Sequence, residues 1–266
     1  MRPPQTGRPR LRKREIVLAV AAGVVAAGGA ALMIDSDGGG PPAPAIGGPR
    51  EMTYQVADFE EISSVGPQDL VVTLGDAYSV RSEGSPEALG LLEVVVDDGE
   101  LVIRPKNQFG PGFNWRRLSG ATYYVTLPRL EAISLAGSGN ASIDRVEGDE
   151  FSASIAGSGE LSIAAMNVDE ADFSIGGSGN ISVAGTAREA EIAIGGSGEV
   201  GAAGLRTATA SISIGGSGNV ALTADEEVDV SIAGSGEVNI SGPARCSVSR
   251  MGGGNVRCAG GGGTED

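Results

Sequence analysis

The second half of the chain repeats the tetrad Gly-Ser-Gly-Asn or Gly-Ser-Gly-Glu at a nearly constant interval. Successive copies are 20, 20, 19, 20 and 18 residues apart, and a degenerate copy, Gly-Gly-Gly-Asn at residues 252–255, follows 18 residues after the last. The central serines of the six regular copies are Ser138, Ser158, Ser178, Ser197, Ser217 and Ser235. A period of this length predicts a solenoid, in which each repeat adds one coil to a stack.

Short alternating segments lie on both sides of each tetrad. Ile-Ser-Leu at residues 133–135 precedes the first copy, Ala-Ser-Ile at residues 141–143 follows it, and later copies keep the pattern. Apolar residues at every second position predict strands with one buried face. A third, less regular segment completes each period. We therefore predict an all-β fold, a β-solenoid (β-helix) with about 20 residues per coil, whose seven coils form a rod of roughly 30–35 Å.

The glycines of the tetrads are expected to form the corners of the coils, because glycine adopts positive φ angles without steric cost. These structural glycines are Gly137, Gly139, Gly157, Gly159, Gly177, Gly179, Gly196, Gly198, Gly216, Gly218, Gly234 and Gly236.

The last residue of each tetrad alternates strictly between Asn and Glu, from Asn140 to Asn255. Interleaved Asn would double the distance between stacked carboxylates, and an ancestral repeat of about 40 residues would produce the same alternation. The glutamates either hold cations weakly or are solvated turn residues. We predict no dedicated metal site and no cofactor.

The amino terminus combines a basic cluster with an apolar run. Residues 1–15 hold six basic side chains before the first acidic one, Glu15, and residues 16–34 form an uninterrupted apolar run of 19. A charge-free run of this length predicts a transmembrane signal-anchor, with residues 1–15 cytoplasmic and residues 35–266 outside. A cleaved signal peptide has the same order of segments. The chain is therefore either anchored in the inner membrane with a periplasmic domain or secreted.

Shifts in composition divide the rest of the chain. Residues 35–50 form a Gly/Pro linker, residues 51–130 an amino-terminal β region without the tetrad, residues 131–258 the regular repeats, and residues 259–266 a flexible tail. Residues 1–45 contain six basic and three acidic side chains. The remaining residues contain 13 basic and 31 acidic side chains, which gives a net charge of −18. Such a surface repels nucleic acid and anionic membranes, so no nucleic-acid partner is expected.

Two segments, together with the tetrads, resemble the sequences of a known protein family. LPRLEAISLAGSGN (residues 127–140), CSVSRMGGGNVRC (residues 246–258) and the tetrad series resemble the GIN-domain family. Its members are described as auto-transporter adhesin head domains of bacteria. The resemblance covers roughly residues 52–258. It implies an exported β-helical domain and supplies no catalytic residues.

Cys246 and Cys258 are the only cysteines, and both fall in the last coil at positions equivalent to the interior residues Val228 and Ile240. Two cysteines in an exported domain favour a disulfide, which would close the open end of the solenoid. Two buried free thiols are the alternative. Arg250 replaces the apolar residue of its column, as expected for a polar end cap.

One segment before the repeats concentrates aromatic and basic side chains in an otherwise acidic domain. It holds Phe109, Phe113 and Trp115, the chain's single tryptophan, next to Arg116 and Arg117. Aromatic and arginine side chains are frequent binding anchors, and tryptophan offers a flat face to sugars. We predict that these five residues bind a glycan or an envelope protein. Alternatively, the segment covers an edge strand at one end of the solenoid.

The sequence predicts a binding or scaffolding module of the bacterial cell envelope rather than an enzyme. There is no histidine, which removes the commonest general base. The loop aspartates Asp144, Asp149, Asp169 and Asp172 do not recur as a defined pair. Because β-solenoids also include polysaccharide lyases and hydrolases, a carbohydrate-active enzyme is the alternative, although a fold alone does not establish an activity. The oligomeric state is left open.

Overall fold

The computed structural model describes residues 50–106, 115–260 and 263–265. Helix α1 spans Pro86–Leu91, and a single 3-10 turn spans Trp115–Leu118. The strands are β1 (Arg50–Tyr54), β2 (Glu61–Gly66), β3 (Asp69–Leu74), β4 (Ser79–Gly84), β5 (Leu92–Asp97), β6 (Glu100–Pro105), β7 (Thr122–Leu127), β8 (Ala132–Gly137), β9 (Ala141–Ile143), β10 (Val146–Gly157), β11 (Glu160–Gly177), β12 (Asn180–Gly196), β13 (Glu199–Gly216), β14 (Asn219–Gly234), β15 (Glu237–Ser241), β16 (Arg245–Gly252), β17 (Asn255–Cys258) and β18 (Gly263–Glu265).

Each complete coil has three sides. The first side is the strand before the Gly-Ser-Gly corner, the second side is the strand after it, and the third side leads to the first side of the next coil. Strands β11 to β14 are long because each bends through all three sides. Consecutive coils pair in parallel, with Glu160 opposite Asn180 and Ile175 opposite Ile194. The structure confirms a β-solenoid with about 20 residues per coil, and it has about six turns where seven coils were predicted.

Backbone hydrogen bonds between coils hold the corners. The N–H of Ser178 donates to the Gly157 carbonyl at 2.8 Å, and the N–H of Asn180 donates to the Gly159 carbonyl at 3.0 Å. Gly177 has a φ of +131°, and a Cβ atom built on it would lie 2.4 Å from the Gly157 oxygen. Both the conformation and the contact therefore require glycine at this corner position.

Columns of aliphatic side chains fill the interior. One column on the first side holds a buried aliphatic side chain in each of six successive coils. Its members are Leu135, Ile155, Ile175, Ile194, Ile214 and Ile232. Differences in coil length are absorbed on the third side, where the pairing register shifts, for example between Ser182 and Ala184. The first and second sides can therefore keep a constant register while the period varies.

The coils before the regular repeats do not stack in chain order. The coil of β2 and β3 lies between the coil of β6 and β7 and the coil of β8 and β9, with parallel pairing on both sides. Gly66 stands opposite Gly137 and has a φ of +135°. Residues 66–69 (Gly-Pro-Gln-Asp) are thus a further corner without the tetrad. The amino-terminal β region predicted at residues 51–130 joins the same ladders as the repeats.

Antiparallel strands close the amino-terminal end of the rod. β5 pairs with β6, β4 with β7, and β1 with β4. Helix α1 connects β4 to β5 and is capped by Ser85, whose hydroxyl accepts a hydrogen bond from the Ala88 N–H. In the described part of the chain, eleven strands stack on the second side from β1 to β17. At the usual strand spacing this corresponds to about 50 Å, more than the roughly 30–35 Å predicted from the repeats alone.

The sequence predicted a membrane span near the amino terminus and a flexible tail at the carboxyl terminus. Among the residues that the structure describes, no helix is long and apolar enough to cross a membrane. The predicted span, residues 16–34, lies outside the described residues, so the anchor stays a prediction. Within the tail predicted to be flexible, residues 259–266, β18 pairs with β16.

Candidate functional site

The outer surface of the first side forms a shallow groove of about 520 Å³. We name it the ladder groove. Two columns of small side chains, one mainly serine and the other glycine and alanine, form its floor. The columns run through Ser174, Ala193, Ser213 and Ser231, and through Gly176, Gly195, Gly215 and Ala233. Because these side chains are short, the floor of the groove lies close to the backbone and repeats at intervals of ~4.8 Å from coil to coil.

An acidic edge borders the ladder groove where the third side meets the first. Its five carboxylates, in adjacent positions of three successive coils, are Glu150, Glu170, Asp172, Glu189 and Glu191. Burial, followed by repulsion from the other four carboxylates, raises the pKa of Asp172. The negative potential of this edge disfavours anionic ligands in the groove.

Replacing Asp172 by asparagine is expected to stabilise the domain slightly at neutral pH. A raised pKa in the folded state means that folding disfavours the charged carboxylate. The wild type therefore gains stability as the pH falls through that raised pKa, whereas the variant does not. The advantage of the variant at neutral pH is about 0.5 kcal/mol, since solvent screens a partly exposed group. Chemical denaturation at neutral and acidic pH measures it.

Asp229→Asn is the matched control for this prediction. Asp229 occupies the same column as Asp172, but its partners in the neighbouring coils are Ser211 and Ser247. An equal gain in stability at Asp229, or a gain at Asp172 that persists at acidic pH, would contradict an electrostatic origin.

The aromatic and basic segment replaces a corner in the coil of β6 and β7. Trp115 is 38% exposed, whereas Leu118, at the end of the same 3-10 turn, is buried. Nε of Arg117 donates to Oε1 of Glu87 in α1 at 2.7 Å. The 3-10 turn is therefore fixed to α1 while the indole of Trp115 stays accessible.

The structure brings together only part of the predicted binding segment. Trp115, Arg116 and Arg117 share the 3-10 turn, whereas Phe109 and Phe113 lie outside the described residues. The alternative role, covering an edge strand, also stays a prediction, because residues 107–114 of the segment lie outside the described residues. The binding role of the segment stays a prediction.

The column of Asn and Glu residues extends into the coil that lacks the tetrad. The N–H of Asn140 donates to Oδ1 of Asp69 at 3.0 Å, and the N–H of Glu160 donates to Oδ1 of Asn140 at 3.2 Å. Asp69 and Asn140 are 71 residues apart in sequence, yet acidic residues and Asn still alternate in space. The alternation therefore follows spatial neighbours, which favours charge spacing as its cause.

The aspartates considered for catalysis lie in different surroundings. Asp144 accepts a hydrogen bond from the Leu74 N–H at 3.0 Å and Asp172 belongs to the acidic edge. Asp149 lines a separate cleft of about 400 Å³, next to Arg129. Across the described residues, no three His, Cys, Asp or Glu side chains are grouped so that they could hold a metal ion.

A disulfide joins Cys246 and Cys258, whose Cα atoms are 6.5 Å apart. It links β16 to β17 within the last coil. Arg250 stands in the interior column after Ile232, and its Nη1 donates to the Gly254 carbonyl at 3.4 Å. A crosslink and a polar side chain thus cap the carboxyl-terminal end of the stack.

The three-sided stack, its ladder groove and its capped ends define a β-solenoid domain with a long exposed side. The chain belongs to the GIN-domain family, described as "Putative auto-transporter adhesin, head GIN domain", whose profile matches residues 58–244. This match confirms the resemblance seen in the tetrads and their flanking segments. No curated protein sequence matches the chain.

Solved bacterial structures share the fold. A "putative adhesin" from Bacteroides fragilis superposes with a TM-score of 0.70 at 21% identity, covering 78% of this chain and 95% of that one. A "Putative lipid binding protein" from Parabacteroides distasonis gives 0.64 at 24% identity, covering 79% and 97%. A "putative adhesin" from Parabacteroides merdae gives 0.60 at 18% identity, covering 79% and 95%. At these identities the likeness supports the fold alone.

Proposed function

We propose that this domain is a non-catalytic, adhesin-like binding head of the bacterial cell envelope. The ladder groove carries the proposal, because it repeats a row of small side chains, mainly serine and glycine, from coil to coil, in a member of an adhesin head family. A ligand with its own repeat, such as a polysaccharide, contacts several coils at once. Linked contacts of this kind give an avidity that no single contact provides.

The acidic edge narrows the class of ligand. Asp172 and Glu191 each lie two residues before a residue of the groove floor, Ser174 and Ala193. An anionic polysaccharide would be repelled along the whole edge. The groove is therefore proposed to bind neutral or cationic glycans.

The proposed location follows from the family and from the amino terminus. Auto-transporter adhesin heads act at the cell surface or in the envelope, which supports an envelope location for this chain. We infer that residues 16–34 anchor the chain in the inner membrane and leave residues 35–266 on the periplasmic side. Cleavage after the apolar run would instead release the same domain as a secreted protein.

A glycan array tests the proposed groove. The wild-type chain is expected to bind neutral polysaccharides more tightly than acidic ones. Ser213→Arg places a long side chain on the floor of the groove and is expected to weaken binding about tenfold, equivalent to about 1.4 kcal/mol. The length of the bound polysaccharide is expected to stay unchanged during incubation, since the proposal includes no cleavage.

Two further variants locate the binding surface. Ser182→Arg introduces the same side chain at an exposed position of the second side, and it is expected to leave binding unchanged. Trp115→Ala is likewise expected to bind normally if the groove is the site. Equal losses in both serine variants, or a loss with Trp115→Ala alone, would place recognition outside the ladder groove.

A further inference from the structure

The chain enters the folded domain near the carboxyl-terminal end of the insertion that carries Trp115. β1 begins at Arg50, opposite Gly84 in β4, and β4 pairs in turn with β7. A Cβ atom on Gly84 would lie 3.0 Å from the Gly120 carbonyl oxygen. The start of β1 is therefore about two strand spacings, ~10 Å, from the end of the insertion that carries Trp115.

The described residues at the two ends of the insertion include basic side chains in an otherwise acidic domain. Lys106 and Arg116 are both exposed. The Lys106 ammonium donates to the Gly90 carbonyl at 2.9 Å, and a carbonyl partner leaves its positive charge in place. Tryptophan together with basic residues is enriched where proteins meet a bilayer surface, since indole sits at headgroup level and cations attract anionic lipid.

The point at which the chain enters the rod decides which end is tethered to the predicted span. Fifteen residues separate that span, which ends at residue 34, from Arg50, and fully extended they reach at most about 55 Å. The tether joins the rod at β1, which pairs with β4 at the amino-terminal end. The Trp115 end is therefore the tethered end, and the last coil, with the exposed Met251, lies at the opposite end.

We propose that the Trp115 end of the rod docks on the anionic surface of the membrane that anchors the chain. Trp115 enters the headgroup layer, and Lys106 and Arg116 contact lipid phosphates. The acidic sides of the solenoid are repelled by the same surface. The rod therefore stands away from the bilayer with its ladder groove accessible. This inference rests on the proposed membrane anchor.

The single tryptophan reports docking directly. The full chain is reconstituted into vesicles that contain brominated phosphatidylcholine, with or without phosphatidylglycerol. We expect quenching of Trp115 fluorescence in the anionic vesicles. The double variant K106Q/R116Q should lower the ratio of docked to undocked chains on the order of 30-fold, because each basic side chain at an anionic surface contributes a factor of about five. The double variant R188Q/R257Q, with the same change in charge elsewhere on the rod, should match the wild type.

Vesicle flotation separates failure of the anchor from failure of docking. A chain that does not float with the vesicles would overturn both the anchor and the docking proposal. A chain that floats while Trp115 stays unquenched would overturn docking alone. Equal quenching in purely zwitterionic vesicles, or equal losses in both double variants, would also overturn it, because Lys106 and Arg116 would then have no specific part.

Discussion

Alanine at Gly177 is expected to lower the free energy of unfolding by at least about 4 kcal/mol, a loss large enough to prevent the adjoining coils from folding. The new Cβ would lie 2.4 Å from the Gly157 carbonyl oxygen, and φ at this residue is +131°. Neither the contact nor the backbone conformation can relax alone, because both are set by the hydrogen-bonded stack of corners. Chemical denaturation followed by circular dichroism measures the loss.

The neighbouring glycine provides the control. A Cβ on Gly176 would meet no atom closer than the Ile155 oxygen at 3.9 Å, and the equivalent residue of the preceding coil is Ala156. Gly176→Ala should therefore change stability by no more than about 0.5 kcal/mol, and in the stabilising direction if the reduced freedom of the unfolded chain dominates. Equal destabilisation by the two variants would show that the corner geometry does not account for the glycines.

Loss of the disulfide is expected to destabilise the last coil by about 3 kcal/mol, the value for a crosslink that closes a short loop. The bond joins residues 12 apart in sequence. In a stacked protein each coil contacts only its neighbours, so the loss should be local. Amide exchange in residues 245–258 should then accelerate on the order of 100-fold, while exchange in the central coils changes little.

A packing-matched variant separates the crosslink from side-chain burial. Cys246 and Cys258 stand opposite Val228 and Ile240 of the preceding coil, so the double variant C246V/C258I keeps apolar side chains without the bond. We expect it to show the same faster exchange as the reduced protein. Normal exchange in this variant would mean that packing, rather than the crosslink, holds the end of the stack.

The regular coils were predictable because their information is local and periodic. The corner glycines, the alternating strands and the approximate coil length can all be read within one period, and the structure keeps them in register. The corner at Gly66 was missed because Pro67 and Gln68 stand where later coils have Ser and Gly. Helix α1 was missed although Ser85-Pro86-Glu87 is a recognisable helix start.

The order of the amino-terminal coils could not be predicted from the pattern. β2, β3, β6 and β7 are six-residue strands of similar character, and alternation does not say which strand pairs with which. The two candidate surfaces likewise differ in whether the sequence pattern predicts them. The serine and glycine columns of the ladder groove follow from the repeat, whereas the approach of Arg50 to the end of the Trp115 insertion depends on antiparallel pairing between β1, β4 and β7.

The displaced coil of β2 and β3 has a consequence for the order in which the protein can assemble. Both of its ladder neighbours come later in the chain, at residues 100–127 and 132–143. A chain emerging amino terminus first therefore cannot complete this coil until residue 143 is available. Such distant pairing makes nucleation slow. Once that nucleus exists, each later coil has a finished edge to add to, so growth toward the carboxyl terminus should be fast and directional.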